Sequence, residues 1–236
     1  MKFSLLALLI SHAALAAPEV VLAPVKHLYV PEGFDSNDAV EVVVTGEFPS
    51  PCYSRNEVKV SVKEELIDIK VTALVSEDGQ KGLRACPQMV VPFKEVVTVG
   101  NLQGGDYKIQ VNKETRYALQ DELKVAEATS AAVDEHIYAD IQHVEDKGNN
   151  NYTLHGWRYS NCVEVDKVEI VNNKKDTFSV LPIMKQVSDF CPMKGMPVSF
   201  DVKLDMSSMK FKQPLLHVRT MDGKSFNSIL NLEGRR

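Results

Sequence analysis

Most of what would mark this chain as a nucleic-acid binder, a membrane protein or a familiar enzyme is missing. Its 236 residues carry 27 Lys+Arg against 32 Asp+Glu, a net charge of −5. Nucleic-acid affinity comes largely from neutralising phosphates with cations, so no nucleic-acid partner is expected. Beyond residue 17 no apolar run approaches the roughly 18–20 residues of a spanning helix, so the chain is not expected to span a membrane. There is no Cys-x-x-Cys, Gly-x-Ser-x-Gly or His-Glu-x-x-His, and no Gly-rich phosphate loop. Ser207-Ser208-Met209-Lys210 fits Ser-x-x-Lys, but the accompanying Ser-Asp-Asn and Lys-Thr-Gly elements are absent. The reading is a protein that is not an enzyme, with no catalytic residues and no cofactor. An enzyme with a site assembled from distant residues is the alternative, because triads are defined by geometry and not by order.

What is present begins with an address. Met1–Ala17 has a positive Lys2, an apolar Phe3–Ile10 core and small residues at Ala14 and Ala16. That is the pattern of a secretory signal peptide, and it predicts an exported protein, periplasmic or extracellular. In an oxidising compartment disulfides are the default state of Cys52, Cys86, Cys162 and Cys191.

The mature part reads as a duplication. His27-Leu28-Tyr29 recurs as His136-Ile137-Tyr138, Gly46 precedes Cys52 as Gly156 precedes Cys162, and Cys86-Pro87 recurs as Cys191-Pro192. Four cysteines allow three connectivities; only Cys52–Cys86 with Cys162–Cys191 gives each copy its own bridge. Within each copy, short runs rich in Val, Ile, Thr and Tyr alternate with period two, as in Val58–Val62 and Ile67–Val71. The predicted strands are Val40–Thr45, Val58–Val62, Ile67–Val75, Val96–Val99, Tyr107–Val111 and Tyr117–Val125 in the first copy. In the second they are Tyr152–Trp157, Val163–Val171, Phe178–Val187, Val198–Leu204, Leu215–Thr220 and Phe226–Leu232. The expected fold class is all-β: two tandem antiparallel β-sandwich modules, Ig-like in the broad architectural sense, each with one intramodule disulfide. The expected division is a signal peptide over 1–17, a first module over 18–126, a linker over 127–135 and a second module over 136–236.

Gly46, Cys52, Cys86, Pro92, Phe93, Leu102, Gly105, Tyr107, Ile109, Val111 and Asn112 form an ordered pattern. It resembles the small disulfide-containing β-sandwich modules of bacterial exported proteins of undefined function. The second copy departs from it, since Met206–Leu215 lacks the Gly-Gly turn and the Tyr. The resemblance implies a fold and a compartment, not an activity.

The expected role is non-catalytic: binding an unidentified protein or envelope component, or a structural part in the cell envelope. Methionine clustering supplies a second reading, Cu(I) or other metal handling. Met193, Met196, Met206, Met209 and Met221, with His217, lie close in sequence, and thioethers suit Cu(I); the plain alternative is gap-filling in a core. Acidic stretches at Glu32–Asp38 and Asp134–Asp146 offer oxygen ligands for Ca2+ but lack EF-hand spacing, and solvated loops are the simpler reading. A Cu(I) titration of the folded protein tests the copper reading; binding no tighter than a weak competing chelator ends it.

Overall fold

Side-chain alternation decides which layer each strand joins, and the computed structural model assembles the strands into four stacked sheets. The structure describes residues 18–76, 86–130, 136–209 and 211–231. The leader, the Asp78-Gly79 turn and residues 131–135 of the expected linker lie outside them. The first nine strands are β1 (Glu19–Leu22), β2 (Val25–Tyr29), β3 (Phe34–Asp35), β4 (Ala39–Phe48), β5 (Tyr53–Lys63), β6 (Leu66–Val75), β7 (Val91–Asn101), β8 (Gly105–Val111) and β9 (Leu119–Ala126). The next eight are β10 (Ile137–Tyr138), β11 (Asp140–Gly148), β12 (Asn151–Arg158), β13 (Val163–Asn172), β14 (Thr177–Gln186), β15 (Met196–Lys203), β16 (Leu215–Arg219) and β17 (Ser225–Ile229).

Layer I is a six-stranded sheet in the order β1-β6-β8-β9-β3, with β5 on the other side of β6. Layer II is β2-β4-β7, layer III is β10-β14-β16-β17 with β13 beside β14, and layer IV is β11-β12-β15. Ile67, Ile69 and Val71 of β6, with Ile109 and Val111 of β8, meet Val40, Val42 and Val44 of β4 in one core between I and II. Phe178 and Val180 of β14 and Leu216 and Val218 of β16 meet Tyr152 and Leu154 of β12 in a second core between III and IV. Each strand gives one side-chain set to its core, as period-two alternation demands.

The same hydrogen bonds recur in both halves. Ala23 N donates to Val71 O (2.9 Å) as Ala139 N donates to Pro182 O (3.2 Å). Ser76 N donates to Cys52 O as Val187 N donates to Cys162 O, and Lys108 N donates to Glu65 O as Leu215 N donates to Asp176 O. The Ser50 hydroxyl accepts from Cys52 N as that of Ser160 accepts from Cys162 N, both at 3.3 Å. The disulfides are Cys52–Cys86 and Cys162–Cys191, with Cα separations of 6.1 and 5.4 Å. Closing loops of this size stabilises a fold by about 3–4 kcal/mol in the chain-entropy description.

Three expectations are corrected. The sheets are not purely antiparallel: β6–β8, β3–β9 and β14–β16 run parallel. For β6–β8 and β14–β16 the reason is the crossover: the chain leaves layer I for β7 in layer II, and layer III for β15 in layer IV, so the next strand returns in its predecessor's direction. The counterpart of His27 is not His136. Val25 faces Gly46 and His27 faces Thr45 across a bulge, just as Ile141 faces Gly156 and His143 faces His155 across a bulge. His136 instead adjoins β10, which pairs with β14 in layer III. The acidic stretch read as loop contains a strand over Asp140–Gly148, whose charges face water from the edge of layer IV.

Gly46 and Gly156 show why the register repeats. A Cβ on Gly46 would sit 2.4 Å from Pro24 O, and one on Gly156 2.1 Å from Asp140 O; the neighbouring backbone leaves room for hydrogen alone. Gly46→Ala and Gly156→Ala are each expected to cost about 1–3 kcal/mol, the usual penalty of overpacking. Urea unfolding checks this, and an unchanged midpoint for either would contradict the register.

Candidate functional site

The centre of the outward face of β4 is the starting point, because it meets no water. Val43 and Glu41 alternate with the core valines, and layer III covers them. Leu215, His217 and Arg219 of β16 point at layer II, while Leu216 and Val218 point into the III–IV core. Tyr29, Val43 and Leu215 form a small apolar cluster, with Phe211 and Ile229 packed on it.

Around that cluster the contacts are polar and buried. The Arg219 guanidinium grips both oxygens of Asp38, with Nη1 at 2.8 Å from Oδ2, and also donates to Gly33 O at 3.2 Å. Its cationic carbon lies 5.2 Å from the Tyr138 ring centroid and 5.6 Å from that of Phe34. His27 Nε2 bonds Asp176 Oδ2 at 2.8 Å, and the His27 ring stacks on Phe211 at 4.2 Å with an interplanar angle of 1°. Tyr29 OH donates to Gln213 O at 2.8 Å, and Ser225 OH donates to Glu41.

Burial shapes the titrations here. It pulls Arg219 down to about 10, against the opposing charge of Asp35, leaving it charged at neutral pH. Burial pushes Glu41 up, and hydrogen bonds from Ser225 and Thr98 resist it only in part. For Asp176 burial acts upward, yet the bonds from His27, Asn173 and Thr177 prevail and hold the carboxyl below its usual range. Burial pushes the Tyr29 hydroxyl up, and the negative charge of Asp176 adds to it. His217 is pulled down to about 4 by burial, with the Asn227 side chain resisting. Its Nδ1 lies 2.8 Å from Asn227 Oδ1, while Nε2 is buried without a partner, an arrangement that fits neutral imidazole.

A cleft of about 480 Å³ opens beside this contact, between layers II and III. Lys26, His27, Thr45, Gly46, Glu47, Pro92, Phe93 and Lys94 of layer II line it, and Phe211, Gln213 and Ile229 close one side. A His and an Asp do converge here, but the His27 ring is held by Phe211 and the Asp176 carboxylate by three hydrogen bonds, from His27, Asn173 and Thr177. The pair acts as a clamp between layers.

The corresponding surface on layer IV is open. A groove of about 380 Å³ is lined by Gln142, His143, His155, Gly156, Trp157, Pro197, Val198 and Ser199. By strand register, these eight positions match, in order, the eight layer II residues that line the closed cleft. Trp157 is 46% exposed. His143 and His155 stack at 5.8 Å, and His155 Nε2 lies 3.3 Å from Glu145. Bonds from Lys147 and then His155 hold the Glu145 carboxyl below its usual range. Sequence reasoning passed over this groove and over Asp176 and Arg219, and read Asp38 only as part of an acidic stretch. The signal for Trp157 was available, since Thr153, His155 and Trp157 share the outward register of a predicted strand.

The structure distributes the methionine set. Met206 and Met209 pack on the III–IV core. Met221 packs on a separate cluster of Tyr138, Leu181 and Ile183, its sulfur 3.2 Å from Tyr138 N. His217 meets the Phe34 ring edge-on, Met196 begins β15, and Met193 is 85% exposed. Among the described residues no group of three or more His, Cys, Asp or Glu is placed to hold a metal ion. In Glu32–Asp38 the Asp38 carboxylate is engaged by Arg219 and by Asp35 N.

These features define an all-β protein of the disulfide-bonded β-sandwich class; among the described residues no helix is long and apolar enough to cross a membrane. Residues 42–119, from β4 to the start of β9, match the family model of the ORF11 beta-sandwich domain. No curated protein and no solved structure matches the chain.

Two outcomes follow from the interlayer contact. Arg219→Met leaves the Asp38 carboxylate buried without its cation and is expected to cost about 3–5 kcal/mol in urea unfolding, whereas Arg219→Met with Asp38→Leu recovers part of it. For His217, the unfolded chain takes up a proton near 6.5 and the folded one only near 4. Stability from the neutral ring is therefore full above about 6.5 and is lost as pH falls toward 4, on the order of 3 kcal/mol. His217→Gln should flatten that fall, and an unaltered pH slope would contradict the assignment.

Proposed function

We propose that this chain is an exported, non-catalytic protein of two tandem β-sandwich modules, Ig-like in layered architecture, that binds a protein or envelope component through the outer face of layer IV. The hydrogen bonds and bulges that recur from one half to the other support the tandem reading. The leader pattern of Met1–Ala17 and the two disulfides support export to a periplasmic or extracellular compartment.

The observation that carries the binding role is Trp157. A large aromatic ring on an open sheet face, next to paired histidines and Pro197, is costly to leave in water and typical of interaction surfaces. The segment before β15 adds apolar area nearby in the chain. Gly195 lies against the indole, and Phe190 and Met193 are 81% and 85% exposed.

Replacing Trp157 with a photo-reactive phenylalanine analogue in the producing cells tests this. The expected result is one discrete cross-linked adduct in the exported fraction, absent when the analogue replaces Lys59. No adduct at position 157 would overturn the role. Sequencing the protein recovered outside the cytoplasm should find an N-terminus at Ala17 or Pro18; a chain retained in the cytoplasm with its leader intact would contradict the export reading.

A further inference from the structure

The cleft on layer II shows how one side of such a groove is covered. There the His27 ring carries Phe211 flat against one face and the Asp176 carboxylate on its Nε2. Both come from outside layers I and II. Strand register places His143 where His27 stands, His155 where Thr45 stands and Trp157 where Glu47 stands. His143 meets the stacked ring of His155 and is exposed on its strand.

We infer that the layer IV groove takes a protein segment presenting an aromatic ring together with a carboxylate, the ring against His143 and Trp157 and the carboxylate on the His143 imidazole. This rests on the binding role proposed for that face. The need for a ring against His143 favours such a segment over a second copy of the chain. At the positions of Leu215 and His217, layer I carries Lys108 and Gln110. Stacking layer I of another copy on layer IV would set Lys108 opposite Glu145, a polar match that supplies no ring for His143 and Trp157. At the same offset the Phe211–Gln213 segment corresponds to Gly104-Gly105-Asp106, which has no ring to offer.

Trp157 is the only tryptophan of the chain, so its indole N–H resonance reports on this groove alone. The test titrates the mature full chain with acetyl-Asp-Gly-Phe-amide, beside acetyl-Asp-Gly-Leu-amide and acetyl-Asn-Gly-Phe-amide, to about 20 mM, a range suited to a few-kcal/mol contact. The expected result is a saturable shift for the Asp/Phe peptide. Either replacement peptide, or His143→Ala in the protein, should weaken it at least threefold. His143 is exposed on an edge strand, so the variant is expected to fold, and its thermal transition verifies that. No saturable shift, or equal binding of all three peptides, overturns the inference. If the photo-adduct at position 157 forms while the peptide fails to bind or compete, the ligand class is wrong and the binding role stands. If neither occurs, both fall.

Discussion

The buried pair of Arg219 and Asp38 is the contact around which the four layers are organised. Arg219 leaves β16 in layer III, and Asp38 sits just ahead of β4 in layer II. Burying two charges costs several kcal/mol each unless geometry is good and the remaining donors are satisfied. Here the guanidinium has both carboxylate oxygens, the Gly33 carbonyl and two aromatic faces. A pair held this way discriminates among alternatives, because sliding layer III by one residue on layer II would strand both charges. The apolar centre of Tyr29, Val43 and Leu215 supplies attraction without direction, and the pair supplies the register.

That contact changes the physical meaning of the recurring strand register. Without it, two sandwiches on one chain would behave as beads on a linker. With it, the β4 and β16 outward faces become interior, and Glu41, Asp176 and His217 acquire environments a surface position would not give them. Layer IV stays as layer II would look without its cover. Glu145 and Thr153 stand where Tyr29 and Val43 stand in layer II, so the uncovered face is polar at its centre and aromatic at one edge. The stack stays soluble at that end while keeping a focused patch at Trp157.

Much of the fold was legible because alternation is local. Val58–Val62, Ile67–Val75 and Val163–Val171 were read as strands from their own side chains, and all lie within observed strands. Strand β11 was not legible, since Asp140–Gly148 is acidic and has one buried side chain. Its strand character comes from pairing with β12. The parallel seams were hidden too, because direction depends on where the intervening strand goes. The His27 repeat was misassigned because three similar residues in a row outweighed a bulge that no string comparison displays. At the site, nothing in the sequence couples Asp38 to Arg219 or His27 to Asp176. The pairs are 181 and 149 residues apart and meet only when layers II and III close. The methionine cluster was the converse case, a sequence signal that the fold spreads over several contacts.

The central claim is that layers II and III make one cooperative body. Equilibrium urea unfolding followed by two probes tests it most directly. Trp157 fluorescence reports on layer IV, and a fluorine label at Lys59→Cys, attached after the native disulfides have formed, reports on layer I. The account predicts superimposable transitions, which separate in Arg219→Met as the interlayer contact weakens. Two well-separated transitions in the unmodified chain would contradict it.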